Sequence, residues 1–211
     1  MSKSLGNALD PHELIERYGL DPVRFFMLRE VPFGRDGDFS HESLITRINV
    51  DLANDLGNLA QRVLSMVHKS CDAHVPERGE LTNDDSELLG LAHALRDTMR
   101  TSMQRENPTA ALAAFFDVVG AANRYVDTMA PWQLKKTDVP RMNTVLYVLA
   151  ETVRHLAILI QPFMPDSAAK MLDQMCIPED ARCFASLGAA GALKTGTELP
   201  KPQGVFPRYE G

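Results

Sequence analysis

Four long stretches of this 211-residue chain open on helix-start signals, and none alternates in polarity as a half-buried strand would. Ser40 heads a segment to about Lys69, Asn83-Asp84-Asp85 one to about Arg105, and Asn107-Pro108 one to about Met129. Pro140 heads the last, which ends before Pro162. Ser, Asp and Asn side chains accept the amide hydrogens left free at a helix start, and a Pro there loses nothing by lacking its own. In the last segment Leu146, Leu149, Val153, Leu156 and Ile160 recur at three- and four-residue spacing, which marks a buried helix face rather than a cofactor site. The chain therefore reads as all-α, an antiparallel helix bundle with short loops.

The ends differ from this body. Asp10-Pro11 and Asp21-Pro22 each suggest a cap followed by a first helical residue, with Glu13 closing a capping box at the first and Gly19 stopping the helix between them. The run from Val31 to Phe39 holds one Pro and two Gly, too broken for a helix, and reads as a connector. From Gly188 onward the chain is rich in Pro and Gly, a tail that lies over a core rather than forming one, with Val205, Phe206 and Tyr209 as candidate pins.

With 45% hydrophobic residues the chain can pack a sizeable core. Its 22 Lys+Arg against 28 Asp+Glu give a net charge of -6, which opposes general polyanion binding by counterion release. Any RNA contact has to be local. An acidic helical module that binds protein partners is the rival reading. Apolar runs such as Leu156 to Ile160 are far below the ~20 residues that cross a bilayer, so a cytoplasmic protein with no membrane contact is expected. Cys71, Cys176 and Cys183 form no CxxC pair. His68, Cys71 and His74 cannot all share one helix face, so no metal site is expected there.

One polar face stands out. On a helical wheel with Leu52 at zero, Leu56, Leu59, Val63, Met66 and Val67 lie within roughly 60° of it, whereas Asn54, Asn58 and Arg62 fall near 200°, 240° and 280°. Asp51 and Asp55, near 260° and 300°, share that side and would repel phosphates. Amides and a guanidinium suit the edges of unstacked bases better than they suit a backbone clamp. Trp132, the only tryptophan, follows Pro131 at an inter-helix corner, where an indole can either pack or serve as a stacking platform. At the amino terminus Lys3 lies in Met1-Ser-Lys-Ser-Leu-Gly-Asn, the kind of small-residue loop that can close on a triphosphate and neutralise a departing pyrophosphate.

That opening string, with Asp10-Pro11 and then Tyr18-Gly19-Leu20-Asp21-Pro22-Val23-Arg24-Phe25-Phe26, resembles the second signature loop and following helices of class I aminoacyl-tRNA synthetases. Arg29 to Ser40, Asp51 to Leu59 with Arg62, Ala130-Pro131-Trp132 and the closing Phe206-Pro207-Arg208-Tyr209-Glu210 resemble the methionyl-tRNA synthetase family in particular. The equivalent domain of a sister synthetase is the third alternative.

The resemblance implies residues 1–40 as signature-loop remnant and stem-contact segment, 41–187 as helical anticodon-binding domain and 188–211 as a tail packed on it. It implies tRNA with a CAU anticodon, methionine and initiator alike, as partner. Trp132 would stack on the first anticodon base, Asn58 and Arg62 would hydrogen-bond it, and Asn54 and Pro131 would support the site. Lys135 and Lys136 would meet phosphate. Lys3 would serve the ATP site of the full-length enzyme, which uses methionine and ATP with Mg. The family's signature has a Lys before the Met, and its catalytic half precedes this stretch. The polypeptide alone is thus expected to bind no cofactor and to activate no methionine.

Overall fold

The structure, a computed structural model, describes residues 10–30 and 39–210; Lys3 with its loop and the connector at 31–38 lie outside them. The described residues form α1 (Pro11–Tyr18), α2 (Leu20–Glu30), α3 (His41–Arg47), α4 (Asn58–Ser70), α5 (Asn83–Gln104), α6 (Pro108–Met129), α7 (Pro131–Thr137), α8 (Val139–Ile160) and α9 (Pro165–Gln174). Between α3 and α4 runs a wide-turn π segment, Ile48–Gly57, with no break in the chain's course because Arg47 and Asn58 both keep right-handed helical dihedrals. One isolated antiparallel bridge pairs His74 with Glu198.

Local signals account for most helix starts. The Asp10 carboxylate accepts from the His12 amide at 2.8 Å, Ser40 Oγ from Ser43 at 3.0 Å and Asn107 Oδ1 from Ala110 at 2.9 Å. Helix α5 is capped by Thr82, one residue before the expected Asn83, with Asp85 returning the bond as a capping box. Asp21 departs from expectation. It lies within α2, buried, and its Oδ2 accepts from the Ser167 amide at 2.6 Å. Helix α9 follows Met164, which has no side-chain acceptor, so α2 supplies the missing cap from across the fold.

Helix α8 is the axis of the core. The expected stripe is buried, but so is nearly every other residue from Thr144 to Ile160, including Glu151, Thr152, Arg154 and His155. Helices α4, α5, α6, α7 and α9 pack against it, and the segment from Ser186 to Leu193 bonds to it. A buried charge needs a partner. Arg154 forks onto Glu151 at 2.6 and 3.0 Å and donates to the Ser186 carbonyl, while Glu151 and His155 accept from the Leu193 and Gly188 amides. These bonds pin the late segment to α8. The same helix is long and apolar enough to cross a membrane by length and composition, yet 94% of that window is buried inside the fold.

A smaller cluster joins Leu14, Tyr18, Val23, Phe26, Leu44 and Ile48, with Tyr209 of the tail packed against it. The continuous helix from α3 to α4 therefore serves two cores.

Candidate nucleic-acid interface

Helix α6 ends because Ala130 turns into the left-handed region (φ 43°) and Pro131 follows. That corner redirects the chain into α7, buries Pro131 and leaves Trp132 at the second position of a short helix. The indole is 46% exposed, too open for a packed corner residue. Lys135 of α7 donates to the Lys69 carbonyl at the end of α4, which leaves two of its three N–H donors, and Lys135 and Lys136 are both exposed.

Arg62, one turn into α4, brings its guanidinium to 6.0 Å from the Trp132 ring centroid. It is held by a 2.8 Å bond from Nη2 to Asp127 Oδ1 of α6. Asp127 is 66% exposed at its side chain, so the pair sits in water and contributes only about 0–1 kcal/mol to stability. This is the only hydrogen bond made by the Arg62 side chain among the described residues, and a guanidinium has five N–H donors. A cation over an aromatic face with donors to spare can hold a base by stacking on one side and hydrogen bonds at its edge.

Asn58 is exposed on α4, four residues before Arg62 and so a neighbour on the same face. It lines a groove of about 510 Å³ together with Asn54, Gln61 and the tail residues Val205, Phe206 and Arg208. Asn54 is not free within it: its Oδ1 accepts from Arg208 Nη2 at 2.6 Å. The three expected residues therefore divide, Arg62 joining Trp132, Asn54 joining the tail, and Asn58 lying between.

The wheel misjudged Asp51. It is buried, bonded to Arg47 at 3.2 Å with Arg29 at 3.9 Å, and burial raises its carboxyl above the ordinary value against the pull of Arg47 and Arg29. Asp51 lies one residue from the wheel's zero, so winding hardly changes its angle; what buries it is the approach of Arg29 from α2 and of Arg47 one turn back. Leu44, Ile48, Leu52 and Leu56, spaced by four throughout, were the available signal: on an α-helix such a series drifts by about 40° per step, and the wider turn of a π segment reduces or reverses that drift. Sequence reasoning also missed Asp127, whose place opposite Arg62 depends on how α4 and α6 pack. Cys71 is half-buried against Asn143, and burial pushes its thiol up to about 11, while the His74 ring turns to the Asp72 carbonyl.

With this geometry in view, comparison with known proteins is decisive. Residues 75–210 match the profile of the anticodon binding domain of methionyl tRNA ligase, and residues 1–64 match that of class I tRNA synthetases (M). The chain belongs to the methionyl-tRNA ligase family. A methionine–tRNA ligase of Mesorhizobium japonicum is 57% identical over 209 residues, covering 99% of this chain and 40% of the relative. One from Mycobacterium tuberculosis is 49% identical, covering all of this chain and 41% of the relative. The solved M. tuberculosis methionyl-tRNA synthetase in complex with methionyl-adenylate superposes with a TM-score of 0.95 at 49% identity, over 99% of this chain and 41% of that one. Its free form gives 0.93 at 47% identity, over 96% and 41%. The chain thus spans about two fifths of the length of these methionyl-tRNA ligases, and its all-α fold is theirs over that span.

Proposed function

We propose that this chain reads the CAU anticodon of methionine and initiator tRNAs, as the RNA-recognising part of a ligase that in its whole form joins methionine to tRNA with ATP and Mg in the cytoplasm. Trp132 stacks on the first anticodon base, Arg62 and Asn58 hydrogen-bond its edge, Pro131 sets the corner, and Asn54 supports the site through the tail. Lys3 belongs to the ATP-handling loop. Residues 1–40 form the loop and stem-contact segment, 41–187 the anticodon-binding domain, and 188–211 its tail.

One observation supports this above the others: the sole indole is open to solvent beside a guanidinium that makes a single hydrogen bond among the described residues. The net charge of -6 argues that affinity comes from this spot rather than from a general field, so salt dependence should be shallow. The test is a fluorescence titration with a CAU anticodon stem-loop. Base stacking quenches the single tryptophan of the native chain, and in anisotropy of a dye-labelled stem-loop, which needs no indole in the protein, Trp132→Ala weakens binding by about 1–3 kcal/mol with the fold intact. Equal affinity for loops with changed anticodon bases sinks the proposal.

A further inference from the structure

The tail does not settle on the bundle at random. Asn49 holds Tyr209 by a reciprocal pair, Tyr209 N–H to Oδ1 at 2.8 Å and Nδ2–H to the Tyr209 carbonyl at 3.1 Å. Five residues on, Asn54 accepts from Arg208. On an α-helix two residues five apart point about 140° away from each other. In the π segment the hydrogen bonds themselves join residues five apart, which stacks Asn49 and Asn54 on one face.

Gly57 closes the device. A Cβ there would lie 2.8 Å from the Leu52 carbonyl oxygen and 3.2 Å from Phe206 Cδ2, so the π geometry and the seated Phe206 both require its absence. Gly204, Val205, Phe206 and Arg208 of the tail line the groove opposite the helix residues Asn54, Asn58 and Gln61.

We infer that Phe206, Gly57 and Asn49 are positioning residues for RNA selectivity: they hold the tail as the second wall beside Asn58, so that a base hydrogen-bonded to Asn58 is confined on that side. This rests on the anticodon reading above. A wall that only stabilises the fold would affect cognate and changed loops alike, whereas one that confines a base affects their ratio.

The experiment measures the affinity ratio between a CAU stem-loop and one with the first anticodon base changed, for the 211-residue chain, for Phe206→Ala and for a chain ended after Gln203. The expected result is a ratio reduced about 3–10-fold, the worth of one misplaced hydrogen bond, with affinity for the changed loop unaltered. Asn49→Ala removes two tail bonds and no apolar packing, and it decides the matter if both other variants unfold. An unchanged ratio in any variant that folds without the wall or its Asn49 anchor overturns the inference while the anticodon reading stands. A native chain with no preference between the loops overturns the anticodon reading itself.

Discussion

Two arginine–aspartate pairs meet helix α6 near its C-terminal end, and they behave as opposites. Arg141 of α8 grips Asp85 of α5 with both terminal nitrogens and also donates to Thr82 and Met129, while Tyr125 of α6 adds a hydrogen bond to the same carboxylate. Asp85 is wholly buried. Arg62 of α4 meets Asp127 of α6 through one bond at the surface, beside Trp132. The chemistry is the same, but the buried pair has both carboxylate oxygens and both terminal guanidinium nitrogens bonded by the protein and ties three helices together. The open pair keeps donors for something else. Saturation makes a structural tie, and a guanidinium left with spare donors makes a candidate binding group.

The largest effect should come from cutting the buried pair. Asp85→Ala strands a guanidinium and a buried phenol, and should cost about 3–5 kcal/mol in chemical denaturation. A loss below 1 kcal/mol would erase the contrast between the two pairs. Titration should follow next in size. Burial pushes the Asp85 carboxyl upward, but the bonds from Arg141 and Tyr125 outweigh it and hold the group at about 2, below its ordinary 3.8. As pH falls through that interval the unfolded chain takes up a proton that the folded chain refuses, and stability should drop by about 2 kcal/mol. Denaturation midpoints between pH 5 and pH 2 measure this, and Asp85→Asn should abolish that part of the slope.

At the open pair the sign of the experiment changes. Arg62→Gln should weaken binding of the CAU stem-loop by about tenfold, while its thermal midpoint stays within a few degrees of the native chain's. Smallest of all, Asp127→Ala should shift stability by no more than about 1 kcal/mol, because an exposed ion pair is worth little. If Asp127→Ala destabilised as much as Asp85→Ala, the surface pair would be a structural tie as well.

How far these features were legible depended on whether their cause is local. The starts of α3, α6 and α8 could be read within two residues because a cap and its amide are neighbours in sequence. Asp21 carried the same signal as Asp10 and was misread, since its acceptor role is toward Ser167, far along the chain. Arg62 and Trp132 were each singled out as residues, but their approach depends on α4 and α6 packing side by side. The π segment was written in a four-residue hydrophobic spacing that an α-helical wheel absorbs without complaint.

The sequence by itself determined the helical class, the ends of its longest helices, the family and the residues capable of meeting a base, because each depends on near neighbours or on a contiguous motif. The tertiary structure alone decided which aspartate is buried and which is open, why Asn54 serves the tail, and that α8 is covered all round. Those outcomes turn on distances between residues tens to more than a hundred positions apart, and only packing fixes such distances.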